Sequence, residues 1–69
     1  MLDKDNIISL IEVEYGSIEG AFYANNQEGI CYNCGHIQSN VEPDACNYLC
    51  ENCEYPAVHG IEEAILTLA

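Results

Sequence analysis

Arginine is absent from this 69-residue sequence and lysine occurs once, at position 4, against twelve aspartates and glutamates. The formal net charge is −11 with both histidines neutral. Nucleic-acid binders draw most of their affinity from Lys and Arg on phosphates, so direct binding of DNA or RNA is not expected. The same shortage argues against an anionic membrane surface. Long apolar runs are missing too, and none approaches the roughly 18 residues that a bilayer-spanning helix needs. The opening MLDKDNIISLIEVEYG has no basic leading region and acids interrupt its apolar part, so no secretory signal is expected. Tryptophan is absent, and the aromatic content is one phenylalanine and five tyrosines.

A chain this short buries only about 60% of its unfolded surface, which leaves its core marginal without a cross-link, a metal or a partner. We read it as one domain over 1–69 in three segments. The first, 1–28, places Ile7, Ile11, Tyr15, Ile18 and Phe22 at steps of three and four, one helical stripe. Gly16 and Ser17 interrupt it as a helix-ending glycine and an N-cap would, so a two-helix hairpin is expected. Residues 8–15 also alternate, with Ile11, Val13 and Tyr15 on one side and Glu12 and Glu14 on the other, and a strand is the competing reading. In the second segment, 29–58, Gly, Asn, Pro and Cys replace helical periodicity. The candidate strands there are short: GHIQ, NYLC and PAV, with a turn signal at Asn40, Pro43 and Asp44 between the first two. The third, 59–69, sets Ile61, Ala64, Ile65 and Leu68 on one helical face, with Gly60 as N-cap and Glu63 in the place of a capping-box acid. So short a helix must pack on something, and the N-terminal stripe is the available surface.

All five cysteines fall between positions 31 and 53. Their odd number would leave one thiol outside any disulfide framework, which favours a reducing, cytoplasmic setting and a metal site. Cys31, Cys34, Cys50 and Cys53 form two C-x-x-C pairs, each able to turn tightly and aim both sulfurs at one ion. The intervening stretch suits an out-and-back hairpin that joins them. Four thiolates close a tetrahedral site suited to one structural Zn²⁺, with iron the rival ion. A closed site leaves no position for an activated water, so catalysis is not expected from it. Cys46 is the remainder, read as a half-buried small hydrophobe on the second strand. His36 and His59 are read as hydrogen-bonding residues beside a complete quartet. The fold class is thus a small α+β zinc-stabilised domain: a zinc ribbon, with a short β-hairpin and two CxxC knuckles, packed with an N-terminal helical segment and a short C-terminal helix.

Together, CYNCG, VEPDA, YLCENC and AVHGIEEAIL resemble a family of short zinc-ribbon proteins of tailed bacteriophages, over about Gly29 to Leu66. The resemblance implies the same cysteine quartet as ligands and a viral protein acting in a bacterial cytoplasm. It does not imply an activity. The chain departs from the pattern at Glu54, where the second knuckle often has glycine, and at Cys46, where a polar residue or alanine is expected.

The expected function is a non-enzymatic interaction module that binds or inhibits a basic host or phage protein through an acidic surface. Tyr15, Tyr23, Tyr32, Tyr48 and Tyr55 are its candidate anchors, unless they fill the core. Glu12 and Glu19, seven apart on the N-terminal helical stretch, are candidate contact acids. One alternative is a nucleic-acid mimic that blocks a nuclease or defence effector. Another is a nucleic-acid-binding ribbon of transcription or replication, which the fold allows and the missing cations oppose.

Overall fold

Asp3 opens the first helix. The computed structural model describes residues 1–24 and 27–68. Asp3 Oδ1 accepts the Asn6 backbone N–H at 2.9 Å and so caps α1 (Lys4–Tyr15). Gly16 ends that helix at φ 87°, a left-handed conformation open to glycine, with its N–H on the Glu12 carbonyl. Ser17 Oγ then caps α2 (Ile18–Tyr23) through the Gly20 N–H at 2.9 Å. Residues 8–15 are therefore helical, and the break falls at the expected Gly16–Ser17 pair. Glu12 and Glu19 stand on different helices as a result, not along one stretch.

The sheet differs from the expected single hairpin. Its strands are β1 (Glu28–Cys31), β2 (Ile37–Ser39), β3 (Tyr48–Leu49) and β4 (Pro56–Gly60), in the order β2-β1-β4-β3 and antiparallel throughout. The stretches around GHIQ, NYLC and PAV do contain strands, but the first two lie at opposite edges instead of pairing. The central pair is β1 with β4, and β1 carried no strand signal: its sequence EGIC holds one β-branched residue among glycine, cysteine and an acid. Two hairpins replace one, each closing on its own C-x-x-C turn. The edges are nonetheless drawn together. Gln38 on β2 donates from Nε2 to the Leu49 carbonyl at 3.4 Å and accepts the Glu51 N–H on Oε1 at 3.0 Å. The sheet therefore curls until one side chain bridges its two rims.

Glycine makes this curl possible. Gly29 and Gly60 are directly opposed across β1 and β4. A Cβ on Gly29 would come within 2.6 Å of Val41 Cγ1, and one on Gly60 would overlap the carbonyl oxygens of Glu42 and Pro43. The 41–45 loop thus lies against the central strand pair, where Ala45 and Pro43 carbonyls accept the N–H groups of Gly60 and Glu63 at 3.0 Å. Those bonds satisfy the start of α3 (Ile61–Leu68), which follows β4 without a gap. No capping box forms, because the Gly60 N–H is committed to Ala45 and Glu63 Oε1 accepts from Thr67 at 3.1 Å.

Two apolar clusters result. Ile61, Ala64 and Ile65 of α3 close on Ile7, Ile11, Ala21 and Ile30, with Tyr15, Ile18, Phe22 and Leu68 around them, so both helical stripes meet as expected. Inside the curled sheet lie Cys31, Val41, Ala45, Cys50, Ala57 and Val58. The tyrosines divide: Tyr15 and Tyr32 pack against the clusters, whereas Tyr23, Tyr48 and Tyr55 are exposed. No helix among the described residues is long and apolar enough to cross a membrane.

Candidate metal centre

Cys31 ends β1 and Cys50 follows β3, so each begins the turn that closes its own hairpin. The turns repeat bond for bond. In the first, the N–H groups of Asn33 and Cys34 point at Cys31 Sγ (3.3 and 3.5 Å), and the Gly35 N–H reaches the Cys31 carbonyl at 2.8 Å. In the second, Asn52 and Cys53 point at Cys50 Sγ at the same two distances, and the Glu54 N–H reaches the Cys50 carbonyl at 2.9 Å. Gly35 has φ 81° and Glu54 has φ 61°. Glu54 therefore adopts the left-handed conformation that glycine takes in the other turn, and the departure seen in the sequence is one of cost and not of shape.

The β1–β4 pairing brings the two turns face to face. The sulfurs of Cys31, Cys34, Cys50 and Cys53 all lie within 4.8 Å of one another. Across the turns, Cys31 to Cys53 and Cys34 to Cys50 are each 3.7 Å. A tetrahedral ion with metal–sulfur distances of about 2.3 Å requires sulfur–sulfur edges of about 3.8 Å, so the quartet fits one ion. Cys31 and Cys50 are fully buried, Cys53 is half-buried and Cys34 is exposed, so the centre approaches the surface on the Cys34 side.

Donors surround the sulfurs. Besides the backbone N–H groups, Asn33 Nδ2 reaches across to Cys53 Sγ at 3.5 Å, and Asn52 Nδ2 reaches back to Cys34 Sγ at 3.6 Å. Every sulfur thus receives at least one N–H, the arrangement that suits thiolates. The Asn33 amide leads the influences that bring the Cys53 thiol down to about 6. Burial pushes the Cys31 thiol up to about 12, against its two backbone donors. A bound cation would offset that burial and deprotonate all four. The asparagines were not singled out in the sequence, although the signal is there: both pairs read C-x-N-C.

The remaining candidates lie outside the quartet. Cys46 is exposed, on the loop before β3, with Sγ 3.8 Å from the Asp44 carbonyl oxygen. It is not the half-buried strand residue that was expected, because β3 begins only at Tyr48 and the preceding turn faces outward. Desolvation and the Glu63 carboxylate hold its thiol above the ordinary value. His36 Nε2 meets Glu51 Oε1 at 3.1 Å and links the two turns from outside. His59 stacks on Tyr32, with ring centroids 3.9 Å apart and planes 15° from parallel, and burial lowers its pKa. The chain matches no protein-family profile, no curated protein and no solved structure.

Proposed function

We propose that this chain is a zinc-ribbon interaction module, non-enzymatic, that binds a basic protein through its acidic surface. The observation that carries the reading is the convergence of four thiols within 4.8 Å of one another, each with an N–H donor and with both cross-turn separations near a tetrahedral edge. Cys31, Cys34, Cys50 and Cys53 would hold the ion, each pair forming one knuckle. Zinc is the ion proposed, since it takes four thiolates and undergoes no redox change. Its role is to staple the domain: apparent binding energies of about 10–16 kcal/mol exceed the typical stability of a whole domain.

The surface supplies the second half of the proposal. Twelve acids, six before residue 30 and six after, face one lysine and no arginine. Such a field steers a basic protein inward and repels phosphate. The sequence resemblance to tailed-phage ribbons supports a setting in a host bacterial cytoplasm. The test compares duplex and single-stranded DNA with a basic protein such as a histone at about 0.15 M salt, where the Debye length is about 8 Å. Binding to the basic protein alone, with an association rate that falls as salt rises, supports the reading. Micromolar binding to DNA overturns it in favour of a transcription-type ribbon.

A further inference from the structure

Helix α1 carries a second apolar pair beside its buried stripe, partly covered at Leu10, whose Cδ1 lies against Gly35, and open at Val13. Ile7 and Ile11 are buried, whereas Leu10 and Val13, three apart on another side, are 38% and 83% exposed. The exposed pair forms a ridge between two open hollows of about 380 and 410 Å³. Leu2, Asn6, Ser9 and Cys34 line the first, and Cys34 is the quartet's exposed sulfur. Glu14, Glu28, His36 and Ile37 line the second. Neither hollow has a lysine or arginine in its lining. Glu14 and Glu28, whose Oε1 accepts the Tyr15 hydroxyl at 2.6 Å, supply negative charge to the second hollow; no acid lines the first, where four thiolates around a divalent ion would add negative charge through Cys34. His36 would add a positive charge only when protonated, and it already meets Glu51.

We propose that the Leu10–Val13 ridge seats a basic amphipathic helix of a partner protein, its apolar side chains filling the two hollows and its cations meeting the acidic rim. This rests on the reading of the chain as an acidic interaction module and names where and how it binds. Charge complementarity selects the occupant. A second copy would bring another −11 with a single lysine, so it offers the rim nothing of opposite sign. An added β-strand is also disfavoured, because the sheet edges β2 and β3 are three and two residues long and Gln38 already bridges them. A helix uses side chains and needs neither edge.

The test uses the metal-loaded full chain and two synthetic helical peptides. One carries leucines at i, i+3 and i+4 opposite a lysine face, and the other has serines in place of the leucines. Fluorescence anisotropy at about 0.15 M salt should show the leucine peptide binding about tenfold tighter or more, as burial of one to two apolar side chains would give. Val13→Ser and Leu10→Ser should each lower that affinity several-fold, while Leu49→Ser, on exposed β3, should leave it unchanged. Metal content and circular dichroism show that each variant is folded. The leucine peptide should also slow removal of the metal by a chelator, since it covers Cys34. Equal binding of the two peptides overturns the ridge and leaves the acidic-surface reading standing. Failure of both peptides to bind sinks both readings. A dimer that Val13→Ser dissolves in sedimentation equilibrium makes a second copy the occupant and overturns the proposal.

Discussion

At the scale of single residues, the two turns serve as controls for each other. Glu54 stands at φ 61° where its counterpart is glycine, and a left-handed non-glycine residue costs roughly 1–2 kcal/mol. Its side chain is exposed, so Glu54→Gly forfeits little packing, though glycine loses about 0.5–1 kcal/mol more backbone entropy on folding. The expected net effect is a gain of up to about 1.5 kcal/mol, read as a higher urea midpoint with unchanged slope. An unchanged or lower midpoint would mean that Glu54 makes a compensating interaction. The asparagines test the donor shell. Partners in that position are worth about 10–100-fold in metal affinity, so Asn33→Ala with Asn52→Ala should lose metal to a competing chelator at correspondingly lower concentration. Cys46 separates the quartet from its bystander. Cys46→Ser should retain metal and fold, whereas Cys50→Ser should lose both in native mass spectrometry and circular dichroism. The opposite pattern would replace the ligand set.

At the scale of elements, the helices and three of the four strand stretches were legible, whereas β1 and the pairing of the sheet were not, for reasons that particular residues make plain. The helical stripes at Ile7–Ile11 and Ile61–Ile65 rest on local periodicity, and Gly16 with Ser17 is a local stop and start. The cysteine spacing was equally local, since each turn is complete within a few residues. Strand β1 has no such signature, because Glu28, Gly29 and Cys31 are chosen by what crosses them: Gly29 by Val41, Cys31 by the centre. The curl set by Gly29, Gly60 and the 41–45 loop is a long-range fact. Gly60→Ala should therefore be the more damaging of ordinary small substitutions, at about 1–3 kcal/mol or more, because backbone carbonyls must move to admit the methyl group. A urea midpoint within error of the wild type would refute that packing. The β4–turn contact also carries a pH dependence. Burial holds His59 below the ordinary histidine value, so the unfolded chain takes up its proton first. Its contribution is full above about pH 6.5 and is lost as pH falls toward the folded value. His59→Phe keeps a ring on Tyr32 and should lose less stability than the wild type between pH 7.5 and 5.5 (roughly one unit either side of the ordinary value). Equal losses would show that His59 does not titrate in that range.

At the scale of the whole molecule, one account ties the small core to the charged surface. Two apolar clusters of modest side chains, largely Ile, Val, Ala and Cys, support a domain of 69 residues with a net charge of −11. A core of that size is marginal by itself, and self-repulsion of the surface weakens it further. An ion held by the four thiols at the seam between the hairpins would offset both, and on the proposed reading metal binding is the step on which fold and surface depend. The direct measurement is X-ray absorption at the zinc edge, with elemental analysis, on protein purified without added metal. The account predicts one zinc per chain and four sulfur neighbours at about 2.3 Å, with loss of the folded circular dichroism spectrum when a chelator removes the ion. A nitrogen or oxygen neighbour in the first shell, or a metal-free protein with an unchanged spectrum, would contradict it.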